Sequence, residues 1–468
     1  MEHTRLGYWI EEAGEVTPRP RLAEDRDADL LVVGGGYTGM WTAWHAHQLA
    51  PEARIVLLES EPVCGRGPSG RNGGFCEGMW LSMASMRARW GGDAPALAVG
   101  RAAAAAVERI EAFCAEPGVD AWFRRGGYLQ VSTTRADDDG GREALEACRE
   151  LGVPEALRPV TAAEIQEHCA SPAFRAGLAE PITATVQPAR LALGLRRRLI
   201  EAGIEICESS PVRRFREADD GVEATTANGV RVRAPRGVLA IGAAAKAPGG
   251  PLRDRLTVAS SHIVITEPVP DVLEKIGWTG GEAITDGRAL VHYFRTTPDG
   301  RIAFGWGGGR IAIGARLRGR TEVDAEVVAA QRRHLLEYFP DLTGRRVTHA
   351  WGGPIDASPT HLPAVTSLPR SRAWVAAGYT GNGVGPSNMV GLTLASLALE
   401  RRDEPTRLAF VDAEMPCVPP EPFHWVGGEA IRLGILKKEE AEADGRRPGH
   451  LSRAVAKIPE LIGFHIGR

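Results

Sequence analysis

Asp29-Leu30-Leu31-Val32-Val33 is a short run without the polar alternation of a half-solvated strand, and it predicts a buried parallel strand. Residues 40–50 read as a helix closed by Pro51, and 54–58 as a second buried strand. Segments 257–266, 288–295 and 301–307 also have strand patterns, with Pro298-Asp299-Gly300 as the turn between the last two. A period of two puts Val291, Tyr293 and Arg295 on one face, and His292 and Phe294 on the other. By the same rule His262 shares a face with Val264. Helices are expected over 95–114 and 322–339. Residues 373–378 predict a strand, followed by a glycine-rich loop and a helix over 386–399 that opens on Pro386.

Composition narrows the class. The 468 residues suggest two or three structural units. With 56 glycines and 32 prolines and no fixed period, the chain is neither collagen-like nor a repeat protein, so the excess glycine belongs in turns and ligand loops. A net charge of −3 gives no electrostatic reason to expect a nucleic-acid partner. The seven cysteines are scattered without a CxxC pair, which reads as buried thiols in a reducing compartment. The N-terminus is acidic, unlike a secretory signal, and no apolar run approaches a membrane span. The expectation is a soluble cytoplasmic protein with no membrane partner.

The chemistry begins at residue 34. Gly34-Gly35-Gly36-Tyr37-Thr38-Gly39 fits G-x-G-x-x-G between the first strand and the helix, and Glu59 ends the second strand about 20 residues on. Gly34 makes the tight turn, Gly36 lets backbone approach a pyrophosphate, and Gly39 lets helix and strand touch. The helix N-terminus faces the phosphates with free N–H groups, and Glu59 suits a ribose diol. Tyr37, Thr38 and Ser60 complete this set. His45 and His47, two apart on the helix, point to different faces, so no metal site is expected.

Four distant segments return to the same ligand. Residues 65–78 hold six glycines, with Ser69, Gly70, Arg71, Asn72 and Gly73 at their centre. Residues 203–212 are a strand and turn ending at Val212; 237–243 are a strand that ends in small residues around Gly242. The fourth segment carries Gly378, Gly381, Asn382, Gly383 and Val384 ahead of the last helix. A nicotinamide dehydrogenase usually completes its site within one contiguous domain; dispersed segments of this kind favour FAD.

At these residues the chain resembles the FAD-dependent amine and amino-acid oxidase family typified by D-amino-acid oxidase, glycine oxidase and sarcosine oxidase, and is most similar to its gamma-glutamylputrescine oxidase-like branch. The likeness rests on Tyr8-Trp9-Ile10, Val33 to Gly39, Ser69-Gly70-Arg71-Asn72-Gly73-Gly74, Val186 to Leu191, Tyr293 to Gly300, Trp351-Gly352-Gly353 and Ala377 to Gly383. It implies α/β plus α+β architecture: a Rossmann-type FAD-binding domain from 1–85, 185–250 and 345–410, and a discontinuous substrate domain from 86–184 and 251–344 on an antiparallel sheet. Residues 411–468 form a C-terminal tail. It makes Gly34, Gly36, Gly39 and Glu59 the ADP site, and puts Ser69, Arg71, Asn72 and Gly73 near the ring and pyrophosphate. Val212 then reaches the adenine, and Gly378, Gly381, Asn382 and Gly383 the pyrimidine edge. Arg71-Asn72 stands where a histidine-linked relative needs its histidine and no cysteine lies near 351–363, so a dissociable FAD is expected, with Cys64 and Cys76 read as structural thiols.

The implied reaction is oxidation of an amine or amino acid C–N bond by hydride transfer to flavin N5, the imine then hydrolysing. Oxygen or another acceptor reoxidises the flavin. Tyr293 and Arg295 side by side suit a substrate carboxylate. Trp351 and His361, on a loop entering from the dinucleotide domain, and His262 are the remaining catalytic candidates, a histidine serving as base. The competing readings are an NAD-dependent dehydrogenase and a flavin-binding subunit without turnover of its own.

Overall fold

The computed structural model describes residues 2–3, 6–370 and 372–465. Its two main sheets split the work. The first has six strands in the order Glu205–Cys207, Ile55–Leu58, Leu30–Val33, Arg236–Leu239, Ala373–Ala377 and Ala364–Ser367, parallel except for the last pair. Leu30–Val33 and Ile55–Leu58 are buried at every position, as uninterrupted apolar runs require when both faces are covered. The helices Tyr37–Leu49 and Val384–Ala398 lie against each other. They are close enough that a side chain on Gly391 would meet Trp41.

The second sheet has nine strands, mostly antiparallel, in the order Glu2–His3, Val347–Ala357, Thr257–Thr266, Ile302–Trp306, His292–Thr296, Ala283–Asp286, Tyr128–Val131, Gly177–Glu180 and Arg158–Val160. One face is closed by the helix Ala325–Tyr338, capped at its start by Asp324. Gln331 Nε2 of this helix donates to His262 O at 2.6 Å and Phe304 O at 3.2 Å. Phe174, Trp278, Phe294, Phe304 and Phe339 fill that side. The opposite face carries Ser261, Ile263, Tyr293 and Trp351 and turns toward the six-stranded sheet.

Two elements differ from the sequence expectation. Residues 287–291 are a loop, the strand beginning only at His292. Val347–Ala357, expected in a loop of the dinucleotide domain, is an eleven-residue strand paired with Thr257–Thr266 along its length. Its glycines and Pro354 hide the strand pattern, and only the partner strand's ladder enforces it.

A buried ion pair fixes the nucleotide end. The Arg196 guanidinium grips Glu208 with Nε and Nη2 at 2.7 and 2.8 Å, while Glu208 also accepts Cys64 N–H at 2.7 Å and Arg19 N–H at 2.6 Å. These bonds hold the Glu208 carboxyl below its usual range despite burial. Because its folded pKa is depressed, the stabilisation is present above the ordinary carboxylate value and is lost as pH falls through the lowered one. Glu208→Ala should cost about 3–5 kcal/mol in urea unfolding, since it strands a buried cation and two N–H groups.

Candidate functional site: two joined cavities between the sheets

A cavity of about 450 Å³ opens at the carboxyl end of the six-stranded sheet, a size suited to a cofactor. The turn after Leu30–Val33 forms its floor. Gly34 has φ 109°, and a Cβ there would run into Ala240 O; a Cβ on Gly39 would run into Gly34 O. Bare backbone is therefore a steric requirement of the turn. Glu59 stands at the rim, where its carboxylate accepts Gly35 N–H at 2.6 Å, Glu61 N–H at 2.7 Å and the Ser60 hydroxyl at 3.0 Å. Burial raises its pKa. Two carboxylate oxygens offer about four acceptor positions, so room for a ribose hydroxyl remains.

Side chains stitch the distant segments together here. Tyr37 N–H donates to Ser69 Oγ at 2.9 Å, tying the helix N-terminus to the second glycine-rich loop. Thr38 Oγ1 and Tyr379 OH lie 2.7 Å apart, tying it to the fourth. Gly34, Gly36, Tyr37, Thr38, Glu59, Ser60, Ser69, Arg71, Asn72, Gly242, Gly381, Gly383 and Val384 all line this cavity. Such a floor of N–H groups, small residues and a rim carboxylate fits the ADP half of a dinucleotide.

Several expected residues have other places. Gly39, Gly70 and Gly378 stand outside the lining; Gly70 packs against Gly65 O, and Gly378, at φ 88°, gives its N–H to Asp356. Val212 is also outside it, opening the strand Val212–Ala218 of a separate four-stranded sheet. The backbone beside Glu59 is that of Ser210, whose N–H donates to Glu59 O at 2.7 Å. Asn72 lines the cavity yet spends its amide on the loop, Nδ2 donating to Ser69 O at 2.8 Å and Oδ1 accepting Gly74 N–H at 2.7 Å.

Asp356 is a residue that motif reading overlooked. It lines the large cavity and accepts Gly378 N–H at 2.7 Å, holding the glycine loop to the end of Val347–Ala357. Burial pushes its carboxyl up to about 6. With the folded pKa above the unfolded one, stability of the ligand-free protein should fall by up to about 3 kcal/mol as pH rises from about 4 to 6, and stay level above. Asp356→Asn should flatten that slope in urea titrations.

A second cavity, about 150 Å³, adjoins the first across Arg71, Asn72, Pro354 and Gly381. The nine-stranded sheet is its roof. Tyr293 OH and Ser261 Oγ are 2.7 Å apart, and Trp351 Nε1 donates to Arg71 O at 2.8 Å. Gly73 and Asn382 also line it. Among the described residues its ionisable lining groups are Arg71, Glu77, Tyr293 and His361. Arg71 donates to Gly67 O at 3.3 Å and stands 3.6 Å from Glu322. His361 sits on left-handed backbone at φ 56°.

Tyr293, Trp351 and His361 thus meet at one cavity, whereas Arg295 and His262 do not. Arg295 shares the Tyr293 face but is buried, donating to Val186 O, Gly74 O and Thr296 O. Its job is to bind carbonyls of the 74–76 and 184–186 segments. His262 points to the opposite face, beneath the helix Ala325–Tyr338, and burial lowers its pKa to about 4. A neutral ring sealed from the cavity cannot take a substrate proton.

A family model described as "DAO: FAD dependent oxidoreductase" matches residues 29–397. The chain is 28% identical over 440 residues to a probable oxidoreductase OrdL of Rhizobium meliloti (strain 1021), covering 89% of this chain and 91% of the relative. It is 27% identical over 433 residues to the gamma-glutamylputrescine oxidoreductase of Escherichia coli (strain K12), covering 92% and 95%. Its fold matches the crystal structure of glycine oxidase from Geobacillus kaustophilus with a TM-score of 0.67 at 21% identity, over 81% of this chain and 96% of that one. The family match decides between the two dinucleotides that the fingerprint alone leaves open: the chain belongs to the DAO family of FAD-dependent oxidoreductases.

Proposed function

We propose that this protein oxidises the C–N bond of a small amine, with FAD in the large cavity and the amine in the small one. The observation that carries this reading is the continuity of the two cavities at Arg71, Asn72, Pro354 and Gly381. Bound FAD supplies a two-electron acceptor for the hydride from the carbon bearing the nitrogen. The Tyr293–Ser261 pair and Trp351 form a wall that orients that carbon. His361 takes the proton of the incoming ammonium, because only a neutral amine has the lone pair that drives the C–H bond to break. The imine leaves and water hydrolyses it to a carbonyl compound and ammonia or a smaller amine.

An amine rather than an amino acid is favoured on two grounds. Arg295, the natural carboxylate ligand, is occupied elsewhere, and Arg71 faces Glu322. The relative with the fullest coverage above is named for a putrescine derivative. FAD is held without a covalent bond in this reading, since neither Cys64 nor Cys76 lines either cavity; acid precipitation should therefore release all of the flavin into the supernatant.

The deciding experiment is anaerobic mixing of the yellow protein with a panel of mono- and diamines, N-alkyl amino acids, amino acids and 2-hydroxy acids. Amines should bleach the flavin fastest. Bleaching by 2-hydroxy acids alone, or by nothing, would overturn the proposal. The rate should rise with pH through one ionisation, and His361→Gln should lower it about 10²-fold at neutral pH but less at high pH, where the amine arrives neutral. Oxygen uptake during turnover reads whether dioxygen is the acceptor.

A further inference from the structure

The C-terminal segment lies past residue 397, where the family match ends, and its helix Phe423–Ala443 reaches back to the loops 287–291 and 307–311 beside the small cavity. Three of its side chains hold backbone atoms of two loops. Glu429 Oε1 accepts Ile311 N–H at 2.7 Å, Arg432 Nη1 donates to Gly308 O at 3.3 Å, and Glu439 Oε1 accepts Leu290 N–H at 3.2 Å. Glu429 and Arg432 also pair at 2.7 Å, and Arg432 and Glu439 are both buried. The two loops are joined by Gly307 N–H donating to Val291 O at 2.9 Å. Their inner residues Ala289, Val291 and Gly307 line the small cavity.

The far end of the segment meets His361, a lining residue of the same cavity, and the backbone beside it. His465 N–H donates to Pro359 O at 2.8 Å, and its ring stands perpendicular to that of His361 with centroids 5.3 Å apart. One stretch of chain therefore bonds to the backbone of three separate segments that flank the small cavity.

We infer that the C-terminal helix is the outer wall of the small cavity, with Glu439 and Arg432 as positioning residues that hold loops 287–291 and 307–311 at the width one class of amine fits. This rests on the amine-oxidation reading for the identity of the ligand, though not for the mechanical claim. A loop released on its outer side samples wider arrangements, so the cavity binds its amine more weakly while the atoms around the reacting carbon stay in place.

The test uses the full-length FAD-loaded protein and the variants Glu439→Ala, Arg432→Met, Glu439→Gln and His465→Ala. Glu439→Ala and Arg432→Met should each speed amide exchange in 287–291 and 307–311, increase acrylamide quenching of the flavin fluorescence, and raise KM about tenfold with kcat within about twofold. Glu439→Gln keeps an acceptor oxygen for Leu290 N–H and should return all three readings toward wild type. His465→Ala, at an exposed position that threatens no core, should raise KM about threefold through the His361 side. Unchanged exchange and quenching in every variant would overturn the inference, as would a fall in kcat and flavin content together with KM. If no amine bleaches even the wild type, the functional reading fails, while exchange and quenching still decide whether the helix holds the wall.

Discussion

Gly34→Ala should purify as a folded protein that is colourless, its affinity for FAD reduced on the order of a hundredfold or more. At φ 109° an alanine is strained, which costs about 1–3 kcal/mol. Its methyl would also run into the carbonyl of Ala240, a residue tied to the neighbouring strand end by Ala240 N–H donating to Val33 O at 2.8 Å. Relief requires parting the strand ends that form the cavity floor, and 2.7 kcal/mol already corresponds to a hundredfold. Gly229→Ala is the control. Gly229 has a comparable φ of 86° with nothing near its would-be Cβ, and it sits in the hairpin between Gly221–Thr226 and Arg231–Ala234. That variant should lose about 1 kcal/mol of stability and keep its colour. The ratio of visible flavin absorbance to protein absorbance separates the two; a yellow Gly34→Ala protein would show that the turn does not carry the cofactor.

Arg295→Met should destabilise the protein by about 2–4 kcal/mol without reordering its preference among anionic and neutral amines. Removing the guanidinium leaves Val186 O, Gly74 O and Thr296 O without that donor, and an unsatisfied buried acceptor costs about 1–3 kcal/mol. Part of this is returned, because burial and the nearby Arg124 already make the cation unfavourable, lowering its pKa. Trp9, whose ring lies 5.6 Å from the guanidinium carbon, loses a cation–π contact as well. Urea unfolding measures the loss, and relative kcat/KM across an amine panel measures selectivity. A selective loss of anionic substrates with stability intact would return Arg295 to substrate binding.

The contrast between these residues shows where sequence reasoning reaches. The 34–39 turn was legible because every constraint on it is local: strand, glycine spacing, helix and rim acid lie within about 30 residues. Strand periodicity also placed Tyr293 and Arg295 on one face, apart from His292 and Phe294. It could not say how far along that face the cavity extends, and Arg295 lies beyond its edge, under the 74–76 and 184–186 segments. Nor could it say which face of Thr257–Thr266 is covered by a helix; that is settled by Gln331, 69 residues from His262.

The residues by themselves determine the dinucleotide turn, the helices Tyr37–Leu49, Asp93–Cys114, Ala325–Tyr338 and Val384–Ala398, and strands such as Leu30–Val33, Ile55–Leu58, Thr257–Thr266 and Ala373–Ala377, because burial pattern, glycine geometry and capping act over a few positions. Tertiary structure alone decides that Val347–Ala357 is a sheet strand, that Asp356 anchors the Gly378 loop, that Arg295 binds carbonyls, and that the C-terminal helix reaches the loops at Leu290 and Ile311. Each depends on a partner supplied from far along the chain, and no local pattern records what a side chain will meet after the chain has closed on itself.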